Sequence, residues 1–385
     1  MVRGHPWIYS ESIKEQNRPG LSGELAVVYD RRNRFLAVGF YDPASPIRVR
    51  ILQVRKPVQT GLELWRERIR EARALRERGG VFSKGTTGGR WINGESDGMP
   101  GLVADRYDTT LVVKLYTPGW LAFWDELEAA LREELQPCFL VLRLSRNLVD
   151  AASAEWGFSE GFRGAIGEET VIFEESGLGF EAQVRFGQKT GFFLDQRENR
   201  RRVESISGGL DVLNAFSYSG GFSVYAARGG ARSVTDLDIS SFAIESAKRN
   251  IALNAHHPAV NSAKHRWVQA DAFDWLQGSP AAQFDLAVLD PPSLAPREAN
   301  RGAAREGYAA LAAGGIRVLR KGGMLLSASC SSHVSKEEFF ETVRSVAQES
   351  GRPWQERWTS EHAPDHPANF PEARYLKAIC LKLDP

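Results

Sequence analysis

The chain has 385 residues, of which 42% are hydrophobic and 25% are charged. This is an ordinary globular composition, and it excludes collagen-like, low-complexity and intrinsically disordered chains. The 49 Lys and Arg against 48 Asp and Glu leave a net charge of +1. Any polyanionic partner must therefore be bound by a local patch, because the chain as a whole has no basic excess. The length predicts about two or three domains.

Cysteine usage and hydropathy point to a soluble, cytoplasmic protein without a bound metal. The three cysteines, Cys138, Cys330 and Cys380, are too few for a disulfide framework and form no Cys-x-x-Cys pair. The N-terminus has no apolar signal core, and no stretch reaches the roughly 18 apolar residues that span a bilayer. Because Cys138 and Cys380 lie within apolar runs, we expect both to be buried and unreactive.

The N-terminal segment, residues 1–60, predicts a small β-barrel or sandwich. Apolar and alternating runs favour strands at 24–29, 35–41 and 47–52. Residues 1–80 carry 16 Lys and Arg against nine Asp and Glu. Most of these cations are arginines, which bind phosphates bidentately. The excess fits either a solvated surface or contact with RNA.

Residues 61–165 predict a small α+β middle domain, and residues 166–385 predict a larger α/β domain. The middle domain combines helices at 62–78 and near 121–134 with strands at 111–115 and 139–143. In the larger domain, strands are predicted at 210–214, 233–237, 267–270, 284–289 and 324–329, separated by helices that include 240–253, 303–319 and 335–349. Such alternation predicts a mostly parallel, doubly wound sheet, which binds ligands at the carboxyl ends of its strands.

The loop after the first of these strands is a candidate cofactor site. Residues 215–223 (AFSYSGGFS) form a turn with Gly220 and Gly221 that leads into a helix, and Asp238 ends the next strand. Glycine lets a ligand approach the backbone, and an acid at this place can accept hydrogen bonds from a ribose diol. The turn is not Gly-x-Gly-x-x-Gly, which argues against a dinucleotide pyrophosphate.

The next strand end, at Asp271 and Ala272, is placed to meet an adenine ring. Each of these elements alone also fits ordinary packing or a helix cap. Together, their order and spacing indicate S-adenosylmethionine.

Two further strand ends suggest the chemistry. Asp290 begins an Asp-Pro-Pro-Ser turn, in which the rigid prolines can present a base-binding edge, and Cys330 follows the next strand among Ser and His residues. A cysteine thiolate that adds to carbon 6 of cytosine makes carbon 5 nucleophilic, while an acid at nitrogen 3 stabilises the developing charge. Cys330 is therefore a candidate nucleophile, and Asp290 a candidate contact to nitrogen 3 or the amino group. Methylation of a ring or exocyclic nitrogen needs no cysteine.

These motifs resemble the bacterial ribosomal RNA large-subunit methyltransferase I family, whose members contain a PUA domain and methylate cytosine at carbon 5. The matching stretches are 4–9 (GHPWIY), 39–43 (GFYDP), 94–102 (GESDGMPGL), 105–107 (DRY), 186–197 (FGQKTGFFLDQR), 214–222 (NAFSYSGGF), 290–292 (DPP), 329–331 (SCS) and 375–377 (YLK). The most specific of them is 186–197, because periodicity alone would not generate it.

The resemblance implies a PUA domain, a middle α+β domain and a Rossmann-like domain whose seven-stranded sheet has a reversed last strand, here at 378–383. It also implies that segment 186–197 closes over the cofactor. The cofactor neighbours expected in that segment are Phe192, Asp195, Gln196 and Arg197. Those expected at the strand ends are Asn214, Phe216, Tyr218, Gly220, Gly221, Asp238, Asp271, Ala272 and Asp290. The implied substrate is large-subunit ribosomal RNA, and a homodimer is compatible with the sequence.

One departure and several alternatives bear on function. Two-cysteine cytosine-5 enzymes carry a second Cys after the motif-four proline, where this chain has Pro292 and Ser293. The base that removes the carbon 5 proton is then either water or His333. The alternatives are a methyltransferase acting on a purine ring nitrogen, a non-catalytic RNA-binding assembly factor and a small-molecule methyltransferase. Loss of activity in a Cys330→Ala variant would favour the cytosine reaction.

Overall fold

The computed structural model describes residues 5–384, so Gly4 of the first family motif lies outside the described residues. The chain divides into two compact units. The first comprises the residues up to Gly177 together with Ala182–Leu194 and Pro364–Phe370, and the second comprises Leu178–Glu181, Asp195–Ala363 and the residues from Pro371 onward. The domain boundaries at 60 and 165 stay predictions. Over the described residues, no helix is both long and apolar enough to cross a membrane.

The first unit begins with a four-stranded antiparallel sheet. Its strands are β1 (Trp7–Tyr9), β2 (Leu25–Tyr29), β3 (Phe35–Tyr41) and β4 (Ile47–Val54), in the order β1-β4-β3-β2. The three strands that the alternation predicted are present. The turn between β2 and β3 lies at the same end of the sheet as Arg55, because the Arg55 N–H donates to the Leu36 carbonyl.

A five-stranded sheet and three helices complete most of the first unit. The elements are α1 (Leu62–Arg78), β5 (Gly88–Asn93), β6 (Leu102–Tyr107), β7 (Thr110–Leu115), α2 (Trp124–Leu135), β8 (Phe139–Leu144), α3 (Arg146–Trp156), β9 (Gly161–Arg163) and β10 (Thr170–Glu175). The sheet has the order β5-β6-β7-β8-β9, and only β7 and β8 pair in parallel. Helix α1 forms because its apolar stripe, with Trp65 and Ile69 fully buried, recurs at helical spacing.

Buried ion pairs fix the first unit internally. The Arg76 guanidinium donates to both carboxylate oxygens of Asp97, each at 2.7 Å. Arg90 binds Asp105 in the same bidentate way, at 2.7 and 2.9 Å. Asp365, which is remote in sequence, accepts from Arg76 through its carbonyl and from the Arg90 N–H through its carboxylate. Asp97 and Asp105, both within family motifs, thus have clear structural roles.

The second unit is the α/β sheet that the sequence predicts. Strand β11 (Leu178–Gln183) begins in it, and its other elements are α4 (Arg197–Ile206), β12 (Asp211–Ala215), α5 (Gly221–Arg228), β13 (Ser233–Asp238), α6 (Ser241–Leu253), α7 (Pro258–Ser262), β14 (Lys264–Gln269), α8 (Ala272–Gly278), β15 (Phe284–Leu289), α9 (Arg301–Val318), β16 (Leu319–Ser329), α10 (Lys336–Glu349), β17 (Trp354–Ser360) and β18 (Lys377–Leu383). The strand order is β14-β13-β12-β15-β16-β18-β17. Only β18 runs against the others, since it pairs antiparallel with both neighbours. The reversed last strand is confirmed.

Both faces of this sheet are covered, because successive residues of each strand point to opposite sides. Leu213 and Leu289 pack with α8, α9 and α10 on one face. Val212 and Val288 pack with α4, α5 and α7 on the other. A sheet buried on both faces exposes only its ends and edges. The carboxyl ends of β12, β13, β14, β15 and β16 carry most of the candidate residues.

Candidate active site

The loop after β12 has an unusual backbone. Phe216, Tyr218 and Gly220 all have positive φ, at 59°, 46° and 73°. Non-glycine residues rarely adopt this left-handed conformation, and such strain concentrates at functional sites. A Cβ on Gly220 would lie 2.9 Å from the Ala247 Cβ, so the loop turns into α5 in direct contact with α6. This close approach requires glycine at position 220.

A buried polar group lies beneath this loop. The Asn214 amide donates to Ser223 Oγ at 2.9 Å and to Asp236 Oδ1 at 3.2 Å, and the Ser223 hydroxyl donates to the same Asp236 oxygen at 2.5 Å. Burial raises the pKa of Asp236 to about 6, although these hydrogen bonds lower it. Asp236 Oδ2, Asn214 Oδ1 and the Ser217 hydroxyl are buried with no hydrogen-bond partner among the described residues. Asn214 therefore has hydrogen bonds inside the protein, and its role towards the cofactor stays a prediction.

Asp238 supports the loop from the end of β13. Its carboxylate accepts from the Tyr218 N–H and the Ser240 N–H, both at 2.9 Å. It is not the helix cap, because Ser240 caps α6. Asp238 is thus held at the strand end, where a ribose-binding acid is expected.

Asp271, by contrast, is a helix cap. Its carboxylate accepts from the Phe273 and Asp274 N–H groups at the start of α8. Ala272 next to it is buried. The Phe273 ring lies edge-on to the Phe216 ring, with centroids 6.1 Å apart. The loop after β12 therefore contacts the start of α8, which follows β14, while the predicted adenine contact stays a prediction.

Gln196 and Asp290 are brought together. Gln196 Nε2 donates to Asp290 Oδ1 at 2.9 Å, and Gln196 Oε1 accepts from Asn199 at 2.6 Å. Beside Gln196, Asp195 accepts a hydrogen bond of 2.8 Å from the Tyr375 hydroxyl. Arg197 is buried and donates to Glu198 at 3.0 Å. The start of α4 thus orients the acid of the Asp-Pro-Pro turn.

Cys330 lies against the same turn. Its thiol donates to the carbonyl of Pro291, with sulfur and oxygen 3.9 Å apart, and its side chain is partly exposed. The following residue, Ser331, contacts the Ser293 hydroxyl at 3.1 Å and the Tyr308 hydroxyl at 2.7 Å. The loops after β15 and β16 are therefore fixed to each other, with the thiol between them.

Phe192 belongs to the first unit, unlike the other candidate residues. It is buried, its ring packs edge-on against Phe173, and its N–H donates to the Tyr107 hydroxyl at 3.1 Å. Thr190 donates to Asp105 and contacts Tyr107 at 2.9 Å. These bonds give residues 190–192 a defined place in the first unit, and the closure of segment 186–197 over the cofactor stays a prediction.

The surroundings of Cys380, Cys138 and His333 differ from those of the partly exposed Cys330. Cys380 is buried as expected, and burial raises the pKa of its thiol to about 12. The expectation for Cys138 was wrong: it is exposed, because it precedes β8 and the apolar run enters the core only with that strand. His333 is 38% exposed, and its Nδ1 lies 3.3 Å from a Glu298 oxygen.

Sequence reasoning gave no role to three side chains at the site: Asp236, Tyr308 and Lys377. Asp236 stands in a strand pattern beside the more obvious Asp238, and Tyr308 lies in the middle of a helix. In the sequence, Lys377 stands out only as the last residue of the motif at 375–377. A lysine followed at once by the apolar run 378–381 was the one available signal, because lysine is rarely buried without a partner.

The donor set fits a nucleoside cofactor. The strained loop with Gly220 lets a ligand contact the backbone, and Asp238 is placed to accept hydrogen bonds from a diol. The reversed β18 and the carboxyl-edge loops together define a class I S-adenosylmethionine-dependent methyltransferase.

Comparisons with known proteins agree with this class. Residues 1–53 match a PUA-like domain family, and residues 135–379 match the S-adenosylmethionine-dependent methyltransferase family. A Ribosomal RNA large subunit methyltransferase of Deinococcus radiodurans is 54% identical, over 99% of this chain and 94% of the relative. A Ribosomal RNA large subunit methyltransferase I of Shewanella amazonensis is 34% identical, over 99% and 96%. The crystal structure of SMU.776 complexed with SAH covers 99% of this chain and 96% of its own, with a TM-score of 0.83 at 22% identity.

The chain belongs to the ribosomal RNA large subunit methyltransferase I family. The resemblance inferred from the motifs, the PUA-like N-terminal domain and the dependence on S-adenosylmethionine are confirmed.

Proposed function

We propose that this protein methylates carbon 5 of a cytosine in large-subunit ribosomal RNA, through a covalent bond between Cys330 and carbon 6. The observation that carries the proposal is the position of the Cys330 thiol, 3.9 Å from the Pro291 carbonyl in the turn that begins at Asp290. The candidate nucleophile and the candidate acid thus follow two neighbouring parallel strands, β16 and β15. A methyl transfer to nitrogen would need the acid but not the thiol.

The addition step conserves electrons and protons. The sulfur pair of the Cys330 thiolate forms the bond to carbon 6, and the π pair between carbons 5 and 6 moves between carbons 4 and 5. The pair between carbon 4 and nitrogen 3 moves onto nitrogen 3. Asp290, oriented by Gln196, shares its proton with that nitrogen. Carbon 5 is then nucleophilic.

When bound, S-adenosylmethionine would supply the methyl group as an electrophilic sulfonium. The pair between carbons 4 and 5 would form the bond to the methyl carbon, the nitrogen 3 pair would restore the double bond to carbon 4, and the methyl–sulfur pair would leave with S-adenosylhomocysteine. Once carbon 5 is methylated, the proton on nitrogen 3 returns to Asp290 and water removes the proton from carbon 5. The pair released from carbon 5 restores the double bond to carbon 6, and Cys330 leaves as a thiolate. We assign the carbon 5 proton to water because the imidazole of His333 is partly exposed and lies beside a Glu298 carboxylate oxygen.

The first unit offers a surface for the RNA backbone. Arg31 and Arg32 in the β2–β3 turn, with Arg55 and Lys56 after β4, are all exposed at one end of the first sheet. Other arginines of this region are paired with acids, such as Arg34 with Asp30. These four exposed cations have no acidic partner among residues 5–384, so they form a suitable contact for phosphates, which dominate RNA affinity. This supports an RNA substrate over a small molecule.

Methyl transfer to protein-free large-subunit rRNA tests the proposal. Wild type, Cys330→Ala and the matched control Cys138→Ala, which removes an exposed thiol of the first unit, are incubated with methyl-labelled S-adenosylmethionine. The modified nucleoside is then identified after digestion. We expect label in 5-methylcytosine, lost by about a thousandfold or more in Cys330→Ala and unchanged in Cys138→Ala. Label in a purine, or full activity of Cys330→Ala, contradicts the proposal.

A further inference from the structure

Lys377 is a buried cation close to the proposed nucleophile. It opens β18 and is 1% exposed. Its ammonium donates to the backbone carbonyls of Ser331, Val334 (2.6 Å) and Tyr375 (3.2 Å). All three of its N–H groups can thus be satisfied by neutral acceptors. Among residues 5–384, no carboxylate lies within ion-pair distance of this ammonium.

Lys377 contacts the chain on both sides of Cys330. In the β16–β18 ladder, Lys377 is the register partner of Ser329, the residue before Cys330. Its ammonium binds the carbonyl of Ser331, the residue after Cys330, and then that of Val334 at the end of the same turn. The lysine therefore fixes the backbone of the turn that carries the thiol.

The charges around Lys377 point to the thiol as its anionic partner. Burial lowers the pKa of Lys377 to about 8, and the charges that raise it in compensation are those of Cys330 and of Glu338 in α10. Glu338 is already engaged, because its carboxylate pairs with Arg301 and caps α10 with Ser335. Favourable coupling is reciprocal, so an ammonium stabilised by a thiolate also stabilises that thiolate.

We propose that Lys377 is a positioning residue for Cys330: its ammonium holds the turn of residues 330–334 in place and stabilises Cys330 as the thiolate that attacks carbon 6. This inference rests on the proposed function for its catalytic meaning. The stabilisation itself can be measured without RNA or methyl transfer.

The first experiment measures alkylation of Cys330 by iodoacetamide as a function of pH in the full chain, with each thiol followed by mass spectrometry. It compares wild type, Lys377→Met and the matched control Lys382→Met, on the same strand but paired with Met324 at its far end. In Lys377→Met we expect the pH midpoint to rise by about one unit. The rate at neutral pH should fall only about threefold, because a more basic thiolate is intrinsically more reactive.

Exposed Cys138 is the internal reference and should not change in either variant. A midpoint in Lys377→Met equal to that of wild type and Lys382→Met overturns the proposal. A role confined to holding the fold would not move this midpoint.

A second experiment does not require Lys377→Met to fold. The Lys377 ammonium is titrated by NMR in protein with ¹⁵N-labelled lysines, in wild type and in Cys330→Ser. Since the coupling is reciprocal, the Lys377 midpoint should fall when the thiolate is removed. An unchanged midpoint overturns the proposal. The two proposals can fail separately. If Cys330→Ala keeps full methyl transfer, while the Cys330 alkylation midpoint and the Lys377 titration midpoint both shift as expected, the proposed function fails and the Lys377–Cys330 coupling stands.

Discussion

The Gln196 side chain donates a hydrogen bond of 2.9 Å to Asp290 Oδ1, and so connects the residue before α4 with the turn after β15. Gln196 is itself held by Asn199, which in turn accepts a hydrogen bond of 2.5 Å from Ser360 through its own side-chain oxygen. The proposed catalytic acid is therefore oriented by a chain of buried amides.

Gln196→Ala should lower kcat for methyl transfer by about tenfold to a hundredfold, because Asp290 loses the bond that orients it. The matched control is Gln348→Ala, which shortens an exposed glutamine of α10. Steady-state kinetics with labelled S-adenosylmethionine make the comparison. Equal kcat values for the two variants would show that Asp290 needs no support from Gln196.

Gly220→Ala should destabilise the second unit by about 2 kcal/mol or more, because it places a Cβ at positive φ and 2.9 Å from the Ala247 Cβ. The same change should weaken binding of S-adenosylmethionine, since the loop must shift. Urea unfolding and calorimetric titration measure the two effects. Gly278→Ala is the control, since its added Cβ would meet nothing within 4 Å and its φ is not positive. A Gly220→Ala variant as stable as Gly278→Ala would refute the close approach.

Asp236→Asn should make stability less sensitive to pH. Burial raises the folded-state pKa of Asp236 from 3.8 to about 6, so the protonated carboxyl is favoured by folding. That contribution is fully present below about pH 4 and is lost as the pH rises through 6, at a cost of about 3 kcal/mol. Asparagine keeps the acceptor for Ser223 and carries no charge.

We therefore expect Asp236→Asn to gain stability over wild type between pH 4 and 7, measured by urea unfolding at each pH. Asp274→Asn, which changes an exposed acid of the same unit, is the control. A constant difference between Asp236→Asn and wild type across this range would mean that the buried carboxyl does not titrate there.

The sequence predicted an element best where both its apolar pattern and the residues that mark its two ends were present. Helix α1 begins and ends where its apolar stripe and flanking glycines indicate, at Leu62–Arg78. Strand β14 begins at Lys264, three residues before the predicted start, because it is an edge strand with exposed, charged side chains. Strand β16 begins at Leu319, since a Gly-Gly pair that resembles a loop continues the strand.

Sequence spacing identified the strand ends that carry the candidate site, but it did not identify the burial and hydrogen bonds of the side chains there. Asp238 and Asp236 are two residues apart, and only the fold shows that Asp236 is the fully buried one. The alignment of Lys377 with Ser329 depends on the register of a reversed strand, which no local pattern encodes. The acid and thiol were recognisable because proline and cysteine leave distinctive motifs.

The buried polar network of the first unit sets an order of events during synthesis. Arg76 and the Arg90 N–H bind Asp365, which lies 289 and 275 residues further along the chain. A ribosome makes that acceptor only after the residues that precede position 365. Most of the chain has therefore left the ribosome before the first unit can complete its network, and a gene fragment that stops at Gly177 encodes its sheets without the residues that close it.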